Sequence, residues 1–211
     1  MEDLTYEQQA HDEGYALVCG VDEAGAGPLM GPVYAAAVIL PEKFELPGLN
    51  DSKKLTEQKR EALFPRIQQQ ALAWSVASVS AREIDETDIL SARMKAMQLA
   101  IDGLTPRPDF VLIDGNRDHG KSAAVTTPHR CIVGGDAHAA SIAAASILAK
   151  VSRDRYVADV LDKQYPEYQF ARHKGYGTKL HYEMLDKFGP CAEHRMSFLK
   201  KWSLNKQMSD T

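Results

Sequence analysis

The sequence predicts an α/β protein with a small helical segment after its core. Three observations support this class. Short apolar runs bounded by Gly and Pro alternate with longer stretches of helical periodicity, as in folds that interleave strands and helices. Apolar residues make up 44% and charged residues 26% of the 211 residues, which is typical of a soluble globular protein. The pattern then changes after Pro166. We therefore predict a core over residues 1–165 and a helical segment over residues 166–211.

The first elements of the chain are predicted as two strands, a helix and a third strand. Residues 16–22 (ALVCGVD) and 33–40 (VYAAAVIL) are short apolar runs of the kind that form strands. Residues 52–70 favour a helix. Pro65 should end or kink this helix, because proline lacks the backbone N–H that a helical turn uses. Residues 74–79 alternate in polarity, which favours a strand.

The following elements continue the alternation. Residues 85–104 carry apolar side chains at helical spacing, and this helix should stop at a glycine. Residues 110–114 (FVLID) indicate a buried strand, and residues 131–133 a further short one. Residues 138–163 are alanine-rich and predict a long helix. Beyond Pro166 we expect a short extended piece, a turn at residues 175–177, and two short helices at residues 178–188 and 195–205.

Several kinds of protein are excluded by simple counts. The longest nearly apolar stretches, residues 33–40 and 139–149, are shorter than the ~20 residues that a membrane span needs. Residues 1–15 are polar and acidic, unlike a secretory signal peptide. Three cysteines without CxxC spacing indicate reduced thiols, so we expect a cytoplasmic protein. No heptad or obvious apolar patch suggests an oligomer, so we expect a monomer.

The charge is distributed unevenly along the chain. The net charge is −4, which does not by itself indicate a nucleic-acid-binding protein. Residues 172–206, however, hold eight Lys or Arg against three acids. One interpretation is a solvated helical face. The other is a basic surface that binds phosphates beside an acidic site, which would make residues 166–211 a substrate-binding segment.

The most distinctive local feature is VDEAGAGPLMGPV, residues 21–33. Gly25 and Gly27 after a strand resemble the start of a dinucleotide-binding loop. Such a loop must open a helix whose N-terminus holds the pyrophosphate. Here Pro28 and Pro32 interrupt the segment and a β-branched run follows, so a hairpin is favoured. What remains is a pair of acids at the end of a strand.

Each candidate acid also has an ordinary structural interpretation. Asp22 and Glu23 are neighbours in a strand, where successive side chains point to opposite faces. They could share one metal only if the strand bends or ends there; otherwise they begin a solvated turn. Asp114 could mark a plain strand-to-turn junction. Asp136 precedes the alanine-rich helix and could be its N-cap.

Chemistry gives a reason to group these acids. Phosphodiester hydrolysis needs a positioned water and stabilisation of charge on the leaving oxygen, and two divalent ions ~3.5–4 Å apart supply both. Hard ions such as Mg²⁺ prefer oxygen ligands. Three or four carboxylates on adjoining strand ends meet this requirement, and no His/Cys cluster in the sequence offers a zinc site.

Six motifs together resemble the type 2 ribonucleases H, in that family's order and spacing. The resemblance implies a ribonuclease H-like fold, with a mixed five-stranded sheet flanked by helices and a small C-terminal helical segment. It implies cleavage of the RNA strand of RNA–DNA hybrids, and cleavage 5′ of a single ribonucleotide embedded in duplex DNA, with Mg²⁺ or Mn²⁺ as cofactor. Products would carry 5′-phosphate and 3′-hydroxyl ends. The motifs are residues 21–33, LNDSKKL (49–55), VLIDGN (111–116), residues 134–155, HKGYGT (173–178) and HRMSF (194–198).

The same resemblance implies roles for individual residues. Catalytic, metal-binding acids would be Asp22, Glu23, Asp114 and Asp136. The backbone of the glycine loop would read the ribose 2′-hydroxyl, which distinguishes RNA from DNA, and a tyrosine would pack on the sugar at the RNA–DNA junction. Other positions match phosphate contacts, although the last of them could be structural. In this chain the substrate-binding positions are Gly25, Ala26, Gly27, Tyr176, Ser52, Lys53, Lys54 and Arg195.

The chain departs from the family pattern around these acids. Ala26 stands where the family has arginine, and Gly134 where lysine is common. His138 and Ala139 replace a frequent Lys-Ser pair. Because a side chain at residue 26 can no longer make a charge-assisted phosphate contact, we expect weaker substrate binding with the chemistry retained.

Two alternatives stay open at this stage. One is a hybrid-binding protein whose catalysis is impaired by Ala26 and Gly134. The other is an α/β metal-dependent hydrolase that acts on a different phosphate ester. Metal-dependent turnover of a hybrid separates the first alternative from an active nuclease, and competition with small phosphate esters tests the second.

Overall fold

The protein is described by a computed structural model that covers residues 4–209. Residues 1–3 of the predicted core and residues 210–211 of the predicted helical segment lie outside the described residues. A five-stranded sheet forms the centre, in the order β3-β2-β1-β4-β5. β1 pairs antiparallel with β2 and β2 with β3, whereas β1–β4 and β4–β5 are parallel. The expected mixed five-stranded sheet is therefore confirmed. The strands are β1 Val18–Ala24, β2 Val33–Ile39, β3 Ala73–Val79, β4 Phe110–Asp114 and β5 His129–Ile132.

Helices cover the sheet and form the end of the chain. Short 3₁₀ turns lie at Ser52–Lys54, Gly135–Ala137, Pro166–Tyr168 and Met196–Phe198. Among the described residues, no helix is both long and apolar enough to span a bilayer. The helices are α1 Thr5–Asp12, α2 Glu57–Gln70, α3 Ala81–Glu86, α4 Ile89–Asp102, α5 Ala140–Tyr156, α6 Asp162–Gln164, α7 Phe170–His173, α8 Lys179–Phe188 and α9 Lys200–Ser209.

The two faces of β1 contact different helices, because side chains alternate along a strand. Cys19 and Val21 lie in the apolar cluster that contains Met94 and Met97 of α4. On the other face, α5 lies directly on the strand. A Cβ at Gly20 would overlap with the backbone at Ser141 and Ile142, so only glycine permits this close approach. Residues 19–21 of β1 are thus held between α4 and α5.

The C-terminal segment is joined to the core by the long central helix. This helix continues from α5 through a π-helical stretch, Val157–Leu161, into α6. A buried apolar cluster then connects Met30, next to the β1–β2 hairpin, with Val157, Tyr168 and Phe170. The division of the chain at residue 166 stays a prediction.

Two local predictions were wrong, a third was wrong in part, and one element was missed. The helix α2 does not end at Pro65 but continues to Gln70, and a kink at Pro65 stays a prediction. Pro65 is exposed, so the carbonyl that it leaves without an N–H partner can bond to water. The predicted helix over residues 85–104 is two helices, because Asp88 adopts an extended conformation and caps α4 by accepting from the N–H of Ser91. The expected extended piece after Pro166 is a 3₁₀ turn followed by α7, and α1 was not predicted.

Candidate active site

Three of the predicted acids meet at the ends of two central strands. Asp22 lies near the end of β1 and Asp114 is the last residue of β4, the parallel neighbour of β1. Asp136 lies on the 3₁₀ turn Gly135–Ala137 that leads into α5. Each of the three offers a carboxylate oxygen, and these oxygens lie within 4.8 Å of one another. Parallel pairing of β1 and β4 brings their C-terminal ends to one edge of the sheet, which explains the meeting of Asp22 and Asp114.

The N-cap interpretation of Asp136 is wrong. The N-cap of α5 is Ala139, whose methyl side chain cannot accept a hydrogen bond from the helix. Because Asp136 sits on the preceding turn, its backbone N–H is 3.4 Å from Oδ1 of Asp114. The turn therefore ties two of the clustered acids together and leaves the carboxylate of Asp136 at the site.

Burial and the charge of Asp114 both disfavour the charged forms of Asp22 and Asp136. Burial, followed by the charges of Glu23 and Asp114, raises the pKa of Asp22 well above its ordinary range. Burial, the charge of Asp114 and a hydrogen bond with Asp51 raise the pKa of Asp136 to about 6. Acids that are crowded in this way favour a bound cation, because it offsets their repulsion. An oxygen-only donor set suits a hard divalent ion such as Mg²⁺ or Mn²⁺.

Glu23 is not part of this group of three. As the neighbour of Asp22 it belongs to the other face of β1, where Oε1 of Glu23 lies 2.6 Å from Nη2 of Arg93 on α4. Its second oxygen, Oε2, is buried and has no hydrogen-bond partner among the described residues. The structure thus places Glu23 beside the site, in an ion pair with the guanidinium of Arg93. Its role as a metal ligand stays a prediction.

The segment around Lys53 borders the acids. Nζ of Lys53 lies 3.6 Å from Oδ2 of Asp136, and the side chain is 77% exposed. Burial alone would lower the pKa of Lys53, but four carboxylates, Asp22 first among them, raise it overall. Lys54 is exposed, as a phosphate contact requires, whereas Ser52 is buried and donates its backbone N–H to Ser146.

Sequence reasoning missed Asp51, although it immediately precedes this segment. Oδ1 of Asp51 accepts the backbone N–H of Lys53 at 2.8 Å, which fixes the 3₁₀ turn. Asp51 also lies near Asp136 and contributes to the raised pKa of that carboxyl. An acid beside Ser52 was visible in the sequence, but only the fold shows that it reaches the strand-end acids.

The loop after β1 is held from inside by Arg195. This residue is fully buried, and its guanidinium donates hydrogen bonds to the carbonyls of Gly25, Ala26, Pro28 and Gly31. Arg195 therefore does not reach solvent and cannot contact a substrate directly. Its role in this structure is to hold the loop, which was the alternative interpretation of this residue. Ala26 is half-buried and Gly27 is exposed, so the loop itself faces outward.

Tyr176 stands beside the same loop. The residue is 43% exposed, and a Cβ added at Gly27 would lie 3.8 Å from Cε1 of the tyrosine. Nζ of Lys150, on α5, lies 5.7 Å from the centre of the ring. The structure thus brings the glycine loop and Tyr176 together, as expected, and adds a lysine that sequence reasoning missed.

Three buried histidines lie behind Tyr176. Nδ1 of His181 is 3.0 Å from the carbonyl of Tyr176, and Nε2 of His181 is 3.0 Å from Nε2 of His194. His173 stacks on His181 with ring centres 4.5 Å apart. Burial is the main cause that lowers the pKa of His181 and of His194 to about 4. These histidines lie within one short segment of the chain, but their spacing fits no pattern that predicted that they meet.

The other departures from the family pattern lie around Asp136. Gly134 is exposed and adopts a left-handed conformation, with φ of 67°, that side chains rarely take. His138 is exposed and Ala139 is buried. A glycine at residue 134 therefore relieves backbone strain at the turn that carries Asp136.

Together, the mixed sheet and its strand-end carboxylates define an α/β protein with an oxygen-ligand centre for divalent ions, the kind of centre that phosphodiester hydrolysis uses. The family model described as Ribonuclease HII matches residues 19–201. The chain belongs to the ribonuclease HII family, and it is a metal-dependent endoribonuclease.

Individual relatives agree with this assignment. The ribonuclease HII of Caldicellulosiruptor bescii is 52% identical over 194 residues, which cover 92% of this chain and 92% of the relative. That of Aliivibrio fischeri is 54% identical over 188 residues, covering 89% of this chain and 88% of the relative. The crystal structure of ribonuclease H2 from Pyrococcus horikoshii OT3 matches with a TM-score of 0.73 at 24% identity, over 93% of this chain and 100% of that chain. This last likeness supports the fold.

Proposed function

We propose that the protein hydrolyses the RNA strand of RNA–DNA hybrids and cuts 5′ of single ribonucleotides embedded in duplex DNA, leaving 5′-phosphate and 3′-hydroxyl ends. The observation that carries this proposal is the group formed by Asp22, Asp114 and Asp136, whose oxygens lie within 4.8 Å of one another at one edge of the sheet. Membership of the ribonuclease HII family supports the choice of substrate.

Asp22, Asp114 and Asp136 would hold two divalent ions, Mg²⁺ or Mn²⁺. When bound, such ions supply activation of the attacking water and stabilisation of the departing 3′-oxygen. Glu23 would add a fourth carboxylate if its contact with Arg93 opens. Asp51 supports the site by accepting the backbone N–H of Lys53, and it helps to raise the pKa of Asp136.

The surroundings of the acids suit a nucleic-acid strand. Lys53, whose Nζ lies 3.6 Å from Asp136, and its exposed neighbour Lys54 are cations that would contact phosphates. Gly27, which is exposed, lies beside the exposed Tyr176, so a ribose at this point would meet both backbone groups and an aromatic ring. Contact with the 2′-hydroxyl at this point would distinguish a ribonucleotide from a deoxyribonucleotide.

The C-terminal segment, residues 166–211, would add binding energy through its excess of positive charge. Tyr176 belongs to this segment, so the ring that would contact the sugar and the basic residues would act on the same duplex. The monomeric state and the cytoplasmic location expected from the sequence stay predictions.

The direct test is a labelled DNA duplex that contains one ribonucleotide, incubated with the protein and Mg²⁺, with and without chelator. We expect one chelator-sensitive cut 5′ of the ribonucleotide and no cut in the all-DNA duplex. Binding of the duplex without any cut would support the alternative in which Ala26 and Gly134 impair catalysis. Cutting of small phosphate esters in preference to the duplex would contradict the assigned substrate.

A further inference from the structure

The loop between β1 and β2 is held by two buried arginines rather than by its own side chains. Arg195 donates to four loop carbonyls at distances of 2.7–3.1 Å. Arg153, on α5, donates to the carbonyls of Met30, Pro32 and Lys174 at 3.1–3.3 Å. Both side chains are 0% exposed. In the part of the chain that the structure describes, neither guanidinium has an ion-pair partner within 4.0 Å.

Two buried charges without a counter-ion are costly, so the carbonyls that solvate them are held tightly. Gly25 shows how close this packing is, because a Cβ on it would overlap with the side chain of Arg153. Gly25 also has φ of 91°, a conformation that favours glycine. The backbone of the loop therefore has little freedom to rotate.

The direction of the loop carbonyls fixes the direction of the loop amides. In a trans peptide, the C=O and the following N–H point in opposite directions across the same plane. The carbonyls of Gly25 and Ala26 point inward to Arg195. The N–H groups of Ala26 and Gly27 therefore point away from Arg195. Neither amide has a hydrogen-bond partner among residues 4–209.

These two amides open onto the surface that Tyr176 borders. Gly27 is exposed and lies beside the tyrosine ring, and Nζ of Lys150 lies 5.7 Å from the centre of that ring. Two successive outward amides offer a pair of donors that suits a hydroxyl or phosphate oxygen. An oxygen bound there would also lie near the aromatic ring.

We propose that Arg195 is a positioning residue that turns the amides of Ala26 and Gly27 toward the sugar–phosphate of the ribonucleotide at the cut site. This inference rests on the proposed function, and it assigns recognition of the ribonucleotide to a buried cation that never touches the substrate. The amide pair supplies donors that do not depend on the side chain at residue 26.

The test measures discrimination rather than activity alone. Binding is followed by fluorescence anisotropy in chelator, where cleavage does not proceed, for a duplex with one ribonucleotide and for the matched all-DNA duplex. We expect the wild-type protein to prefer the first duplex. Arg195→Lys should lower this preference by about five-fold or more, because lysine cannot bond four carbonyls at once and each lost hydrogen bond contributes about that factor.

Two further variants separate positioning from general damage. Asp109→Ala removes the acceptor of the backbone N–H groups of Ala16 and Leu17, which precede β1 and lie away from the loop; it should lower stability yet keep the preference. Ala26→Pro removes one amide directly and leaves Arg195 in place. It should lower the preference even if Arg195→Lys fails to fold.

Chemical rescue gives a second readout. Millimolar guanidinium, far below the molar concentrations that unfold proteins, should restore the preference in Arg195→Ala. Methylammonium should not, because it lacks the planar set of donors.

A folded Arg195→Lys protein or an Ala26→Pro protein that keeps the full preference would overturn the inference. A wild-type protein that binds both duplexes equally would instead contradict the proposed ribonucleotide recognition.

Discussion

The carboxylate of Glu7 accepts a hydrogen bond from the backbone N–H of Ser141, at 2.9 Å, and another from the Ser141 hydroxyl. Ser141 is the second residue of α5, whose own N-cap, Ala139, has no side-chain oxygen. A carboxylate from α1 therefore replaces the missing cap, where a negative charge is favoured by the helix dipole. The turn that carries Asp136 ends directly before this point, so α1 supports one wall of the candidate active site.

Glu7→Ala should lower the free energy of unfolding by about 1–3 kcal/mol, because it leaves the buried N–H and hydroxyl of Ser141 without this acceptor. The melting temperature should fall by about 2–4 °C for each kcal/mol lost in a chain of this size. The measurement is thermal unfolding followed by circular dichroism. Gln8→Ala, on the exposed side of the same helix, is the control. Equal stability of the Glu7 and Gln8 variants would mean that the cap contributes nothing.

Asp22→Asn and Asp114→Asn should abolish turnover while binding of the hybrid persists. Each change removes a charged oxygen ligand from the group of three acids without changing the shape of the site. We expect a rate loss of about 10³-fold or more, since stabilisation of charge in metal-assisted hydrolysis contributes several kcal/mol. Single-turnover cleavage and anisotropy are measured side by side. Asp102→Asn, at the exposed end of α4, is the matched control. Retained turnover in either site variant would remove that acid from the proposed centre.

How much of this site the sequence could predict depends on the kind of contact. Asp22 and Asp114 follow apolar runs, so strand ends explain their position and parallel pairing explains their meeting. The partner of Glu23 could not be predicted in the same way. Alternation along β1 showed that Glu23 faces away from Asp22, but the presence of Arg93 there depends on how α4 packs on the sheet.

The loop shows the same limit at a second place. Gly25 and Gly27 marked a turn in the sequence, and the match to a family motif suggested a role for the loop backbone. The two arginines that hold this backbone come from α5 and from the segment before α9, and nothing in their local sequence distinguishes a buried guanidinium from a surface one. Long-range hydrogen bonds of this kind become visible only when the fold is complete.

Arg93→Ala should make the protein less stable without divalent ions and more responsive to them. Glu23 is only 14% exposed, so loss of its cation leaves a poorly solvated carboxylate, at a cost of about 1–3 kcal/mol. The same change adds uncompensated negative charge beside the three acids, which should favour metal binding. The rise in melting temperature on adding Mg²⁺ should therefore exceed that of the wild-type protein. Arg82→Ala, which removes an exposed ion pair, should respond like the wild-type protein. A smaller Mg²⁺ response in Arg93→Ala would show that Arg93 assists metal binding instead.

The buried histidines should make stability depend on pH. The pKa of His194 is lowered, mainly by burial, from its ordinary value of 6.5 to about 4. The folded state therefore binds fewer protons than the unfolded state in this interval. The contribution of His194 is fully present above about pH 6.5 and is lost as the pH falls through about 4. The stability difference between the wild-type protein and His194→Asn should therefore shrink between pH 7 and pH 4.5, measured by urea unfolding in chelator. His11→Asn, at an exposed position, is the control. A difference that stays constant with pH would contradict this assignment.

Ala26→Arg should lower KM for the hybrid and leave kcat nearly unchanged. Only the carbonyl of Ala26 is bonded to Arg195, so a longer side chain can extend from the half-buried loop position without displacing that contact. A new charge-assisted contact to phosphate contributes about 1.5–3 kcal/mol, which corresponds to roughly a ten-fold or larger fall in KM. Binding should also become more sensitive to salt, with the slope of log affinity against log salt steeper by about one. Ala26→Gln adds length without charge and should change neither quantity. If Ala26→Arg leaves KM and the salt slope unchanged, the missing arginine does not limit substrate binding, and the amides fixed by Arg195 account for recognition at this loop on their own.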